Sequence, residues 1–147
     1  MVIFALDAGF TLPGYAFFDT INNRVLACGA VATARMAKAQ RRTVHYYVSH
    51  DDARRVREIY AVLSPLVAQY KPDCATIELP VGAGRSSSAV KGMAYASAIG
   101  AILVEEHGIR DCVYVTPEQN KLASTGLRDG SKQQVMVGVE RRFGDVW

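Results

Sequence analysis

The chain has 147 residues, about one ordinary domain, with half of its residues hydrophobic and 21% charged; that balance fits a soluble globular protein large enough to fold without staples. Seventeen basic residues against fourteen acidic ones leave a net charge of +3, too mild to mark a nucleic-acid partner except through local clustering. No apolar run approaches the roughly 18–20 residues of a membrane span, and Asp7 interrupts the first apolar stretch too early for a signal peptide.

Val2–Leu6 is an apolar run too short for a helix, followed by Asp7, Ala8 and Gly9, and reads as a buried strand. Gly14–Asp19 reads as a second strand, Thr20–Asn23 as a polar turn whose asparagines tolerate positive φ, and Arg24–Thr33 as a third strand. The three form an antiparallel meander. Arg35–Ser49 is a basic connector. A helix is expected from about Asp51 to Tyr70, with Ser49 or His50 near its start and Asp51 and Asp52 suiting the positive end of its dipole. Val56, Ile59, Tyr60, Leu63, Leu66 and Val67 recur along it at helical spacing.

Lys71-Pro72-Asp73 breaks that helix, and Cys74–Leu79 reads as a fourth strand stopped by Pro80 and Gly82. A Gly/Ser-rich segment leads into a long helix, roughly Ser88–His107, capped by Gly108. Asp111–Val115 is a fifth strand. Thr116-Pro117-Glu118 starts another helix, with threonine as cap and proline in the first turn. Asp129–Phe143 is a last helix. Cys28, Cys74 and Cys112 are far apart and each lies in an apolar run, which reads as reduced thiols of a cytosolic protein. Three antiparallel strands followed by alternating helix and strand give an α/β fold: a mixed five-stranded sheet with helices on both faces, resembling the ribonuclease H-like arrangement.

In that topology the first and fourth strands lie side by side and parallel, so Asp7 and Glu78 end neighbouring strands at the same edge. Two adjacent carboxylates repel and are costly to desolvate. A divalent cation removes that cost, and magnesium favours a few carboxylates with waters and phosphate oxygens. The plainer alternative is that Asp7 shapes the Asp-Ala-Gly turn and Glu78 is a solvated strand end.

Three segments carry a family resemblance. IFALDAGFTLPGYAFFD resembles the first hairpin of the RuvC family of Holliday-junction resolvases. CATIELPVGAGRSSSAVKGMAYASAIGAILVEE is similar to that family's second motif, a strand ending in glutamate and then a helix rich in small residues. VTPEQNKLASTGLRDGSKQQV resembles the third, a Thr-Pro-x-x-x-Lys turn, a glycine, and a second lysine eleven positions after the first. The likeness runs from about residue 2 to residue 143.

The resemblance implies a magnesium-dependent endonuclease that cuts branched DNA, with manganese able to substitute. It implies that Asp7 and Glu78 are metal-binding catalytic carboxylates and that Lys121 and Lys132 approach the phosphate backbone or the active site. It also implies a homodimer cutting symmetric strands of a four-way junction, in the cytoplasm of a bacterial cell or a phage-infected host. Residues 1–147 are expected to form a single such domain. The family completes its site with acidic or histidine residues on a further C-terminal helix. By spacing from Lys132 that helix falls beyond Trp147, so the chain is expected to lack it, and Asp145 lies too early for the role. Many relatives carry an aromatic wedge shortly after the glutamate, where Val81 is the nearest match here.

Arg35, Lys38, Arg41 and Arg42 form the densest basic cluster, suited to phosphate contacts, and Tyr46 and Tyr47 could stack on an unpaired base. A solvated loop anchored by its tyrosines is the alternative. Arg85 and Ser86, with Ser87 and Ser88, precede a helix N-terminus, where backbone N–H groups favour a phosphate or simply cap the helix. Ala89, Gly92, Ala96 and Gly100 place small residues on one face of the long helix, for close approach to its own sheet or to a partner helix. His45, His50 and His107 are scattered, and none is assigned to catalysis.

Other functions compete. A RuvC-like module could grip branched nucleic acid without cutting it, and a nuclease of the same fold could process RNA. A sugar-kinase or actin-like ATPase also carries Asp-x-Gly in its first hairpin, but it needs two such domains and a second phosphate loop.

Overall fold

The computed structural model describes residues 1–79 and 87–144. Its elements are β1 (Val2–Asp7), β2 (Gly14–Asp19), β3 (Arg24–Ala30), α1 (Lys38–Thr43), α2 (Val48–Tyr70), β4 (Cys74–Glu78), α3 (Ser87–Glu106), β5 (Asp111–Val115), α4 (Pro117–Thr125) and α5 (Lys132–Phe143). The five strands form one sheet in the order β3-β2-β1-β4-β5. β1 pairs antiparallel with β2 and β2 with β3, whereas β4 runs parallel to both β1 and β5. The expected mixed sheet is therefore present.

Strand alternation sends Phe4, Leu6, Phe17, Ala75 and Ile77 to one face, where they are buried with Ile59, Leu63 and Val67 of α2 and Ile99 and Leu103 of α3. Phe17 stacks between Phe4 and Tyr70, with ring centroids 5.1 and 4.7 Å away. On the opposite face Phe18 meets Phe143 of α5 edge-on at 4.9 Å. Helices thus cover both faces.

Gly92 and Gly100 of α3 face the protein's own core. A Cβ at Gly100 would stand 2.7 Å from Ile77 Cδ1 and 2.9 Å from Leu6 Cδ2, and one at Gly92 would stand 2.9 Å from Phe10 Cβ. A real Cβ almost never comes that close to another carbon, so Gly100 lets the helix lie against Leu6 and Ile77, and Gly92 lets it lie against Phe10, without displacing them. Among the described residues, no helix is long and apolar enough to cross a membrane.

Several boundaries differ from expectation. The third strand ends at Ala30 rather than Thr33, because Val31 and Thr33 turn to bond Pro13 and Thr11 through their N–H groups. The basic connector contains a helix, α1, and α2 starts at Val48 rather than Asp51. His50 accepts the Tyr47 N–H through Nδ1 at 3.2 Å. The last helix starts at Lys132, not Asp129: Ser131 caps it, accepting from Gln134 N, while Gln134 Oε1 accepts the Ser131 N–H.

Asp51 and Asp52 do more than complement a helix dipole: both are buried. Asp51 accepts from Met36 N at 3.0 Å and from Arg54, and Asp52 accepts from Lys91 Nζ at 2.7 Å. The start of α2 is thereby tied to the connector and to α3.

Candidate active site at the ends of two parallel strands

Asp7 is the last residue of β1 and Glu78 the last of β4. The parallel register pairs Leu6 with Ile77, so the next step along each strand reaches the two carboxylates. Both line one open cavity of about 240 Å³, together with Gly14, Thr76, Val115 and Asn120. The cavity lies on the sheet face opposite the α2–α3 core, at the tips of the strands. Asp7 is exposed and Glu78 half-buried, so neither is sealed from solvent or a large substrate.

Several devices fix this corner. Gly9 N bonds Asp7 O at 2.8 Å, turning the chain directly after β1. Arg55, buried on α2, donates through Nη2 to Phe10 O at 3.1 Å and Thr11 Oγ1 at 3.2 Å, and through Nε to Thr33 Oγ1 at 3.2 Å. Burial pulls the Arg55 guanidinium below its usual range while Asp51 and Asp52 pull it back; an arginine stays charged throughout. On the other side, Leu79 N bonds Val115 O at 2.7 Å, carrying the β4–β5 ladder one step past Glu78. Thr116 then caps α4: its hydroxyl accepts from Gln119 N and its own N–H donates to Gln119 Oε1.

That cap sets Asn120 one turn above the strand ends, where its Nδ2 donates to Glu78 Oε2 at 2.5 Å. Sequence alone does not single out Asn120. A polar residue inside a short helix carries no local sign that it reaches a strand residue 42 positions away.

Lys121 is half-buried on α4, directly after Asn120, and Lys132 is exposed in the first turn of α5. Neither lines the cavity. Arg35 precedes α1 and is exposed, as are Lys38 and Arg42 on it, while Arg41 folds back to donate to Met36 O at 2.6 Å. Tyr46 and Tyr47 are exposed, each ring against His50. Arg85, Ser86, Val81 and Asp145 lie outside the described residues. A second groove, about 390 Å³ between α4 and α5, is lined by Ser124, Gln134, Gly138 and Arg141 among others and holds neither carboxylate.

The sequence profile of the family described as crossover junction endodeoxyribonuclease RuvC matches residues 3–143. The chain belongs to the RuvC family. Among RuvC proteins, that of Alkaliphilus metalliredigens is 30% identical over 139 residues, covering 92% of this chain and 74% of the relative. That of Prochlorococcus marinus is 28% identical over 146 residues, covering 97% and 82%. The fold matches Thermus thermophilus RuvC in complex with a Holliday junction substrate, with a TM-score of 0.75 at 20% identity over 98% of this chain and 80% of that one.

RuvC proteins are metal-dependent nucleases, and the corner fits a hard divalent cation. It offers two carboxylates on adjoining strand ends, an amide on one of them, and open access. Among the described residues no third histidine, cysteine or acidic side chain joins them. Magnesium tolerates such a set, because it keeps several waters and needs only one or two carboxylates.

Proposed function

We propose that this chain hydrolyses phosphodiester bonds in branched DNA as a magnesium-dependent, structure-selective endonuclease, with the four-way junction as its substrate and a homodimer as its working form. The observation that carries the reading is the placement of Asp7 and Glu78 around one open cavity at the ends of parallel strands.

In this reading Asp7 and Glu78 hold the cation, which is magnesium or, in its place, manganese. The bound ion would supply Lewis-acid stabilisation of charge on the phosphodiester oxygens. Lys121 and Lys132 approach the scissile strand, where a fixed ammonium offsets developing negative charge. Arg35, Lys38 and Arg42, with Arg85 and Ser86, grip the phosphate backbone away from the cut, and Arg41 braces α1 beside them through its bond to Met36 O. An enzyme acting on such DNA works in the cytoplasm of a bacterial cell or an infected host.

The test is nicking of a synthetic four-way junction in magnesium by the full chain and by Asp7→Asn. The unsubstituted chain should introduce symmetric nicks, and Asp7→Asn should bind the junction without cutting. Undiminished cutting by Asp7→Asn would sink the assignment. Tight binding without cleavage by the unsubstituted chain would make the protein a binding module, and preferential cleavage of structured RNA would move it to RNA processing.

A further inference from the structure

The geometry assigns Asn120 as a positioning residue for Glu78, one that holds the carboxylate through Oε2 in an orientation suited to the cation. This inference rests on the reading of Asp7 and Glu78 as metal ligands and adds a residue to it.

A glutamate has three side-chain torsions, so a carboxylate at a strand end can sample many orientations and loses that freedom on binding a metal. The Asn120 amide offsets part of the loss in advance. Its Nδ2 donates to Glu78 Oε2 at 2.5 Å, and both residues line the cavity that Asp7 shares. A hydrogen bond to an ionised acceptor is stronger than a neutral one, and hydrogen bonds of this kind to ligating carboxylates fix the ligand's orientation.

The donor itself sits on a rigid mount. Thr116 and Gln119 close a reciprocal cap at the start of α4, Pro117 occupies its first turn, and Gly126 ends it in the left-handed conformation at φ 77°. The strand feeding that cap is locked to β4 by the bond from Leu79 N to Val115 O. Glu78 and Asn120 are therefore held from two sides of one ladder, and the bond between them closes the loop. An amide also serves this place better than a charged donor. A lysine or arginine bound to Glu78 would cancel the negative charge that attracts the cation, whereas asparagine orients the carboxylate and leaves its charge intact.

The experiment titrates manganese ion alone into the full chain without DNA and reads free Mn2+ by electron paramagnetic resonance. The variants are Asn120→Val, Asn120→His, Glu78→Gln and Asp7→Asn. Removing a hydrogen bond to a metal ligand typically costs about 10–100-fold in affinity or activity. Asn120→Val should weaken Mn2+ binding by that order and lower kcat on a four-way junction, leaving KM unchanged. Asn120→His, which keeps an N–H at a similar reach, should recover most of the binding. The metal-free melting temperature of Asn120→Val should stay within about 2 °C of the parent, since an exposed side chain is being changed. If valine disturbs α4, Asn120→Ala removes the same donor with less bulk and gives the same readout. Weakened binding in Glu78→Gln with full binding in Asn120→Val and Asn120→Ala overturns the role of Asn120 alone. Unchanged binding in both Glu78→Gln and Asp7→Asn overturns the metal-site reading beneath it.

Discussion

Arg55 lies over the face of Phe10, its guanidinium carbon 4.0 Å from the ring centroid, and also bonds the Phe10 carbonyl. Phe10 is three residues past Asp7. The buried cation therefore anchors the turn that follows β1, at the point where that turn crosses to the exit of β3.

Removing this anchor should be costly. Arg55→Met keeps much of the volume but deletes the charged donors to Phe10, Thr11 and Thr33. Orphaning buried acceptors of a charged donor costs about 2–3 kcal/mol, which urea unfolding measures as a lower midpoint at unchanged slope. A midpoint within error of the parent would show that the network is dispensable.

Asp51 makes stability depend on pH. Burial opposes its ionisation, but the hydrogen bonds from Arg54 and Met36 N outweigh burial and hold the carboxyl below its usual value. A carboxyl lowered in the folded state stabilises the fold above the unfolded value, about pH 4, and loses that contribution as pH falls through the folded value. Thermal melts from pH 7 down to about pH 2.5 should therefore show Asp51→Asn less stable at neutral pH, with a shallower acid decline than the parent. Parallel curves would count against it.

Crowding at Gly100 links core to site. Gly100→Val drives a branched side chain into Leu6 and Ile77, the residues directly before Asp7 and Glu78. Overpacking of a tight core costs about 1–3 kcal/mol, and here the displaced side chains belong to the strands that carry the site. Calorimetry should give a lower Tm, and junction cleavage at a temperature where the variant is fully folded should also fall. Retained cleavage beside a lower Tm would separate packing from site geometry.

The basic residues near α1 should divide into two kinds. Lys38 and Arg42 are exposed, and replacing either with alanine should reduce the slope of log K against log salt by about 0.9 for each phosphate that is no longer neutralised. Arg41 is engaged with Met36 O, so Arg41→Ala should chiefly loosen α1, seen as faster amide exchange over Lys38–Thr43. Equal slopes for the parent, Lys38→Ala and Arg42→Ala would remove α1 from the DNA-binding surface.

The contrast between Glu78 and Asn120 shows what a sequence can disclose. Glu78 ends an apolar run, so its strand, its edge and its neighbourhood with Asp7 follow from alternation and element order. Thr116-Pro117 likewise announces α4 by local chemistry. Asn120 sits in a short helix whose docking depends on where β5 lies, so its contact with Glu78 has no local signature. The same holds for Asp51, Asp52 and Arg55. Two acids at a helix start look like dipole partners until the connector and α3 fold over them, and Arg55 looks like one of several surface arginines. The early end of β3 is hidden for the same reason, since Val31 and Thr33 have strand-forming side chains but bond a loop.

The two strands that bear the carboxylates are far apart along the chain: Val2 N bonds Asp73 Oδ2 at 2.7 Å across 71 positions. Closing so long a span must be compensated by contacts that form only once α2 has packed, and pairings of that kind arise late. During synthesis, then, Asp7 emerges well before Glu78, and a partly made chain holds only one of the two carboxylates. The cavity that the two acids share is thereby deferred until the sheet is assembled.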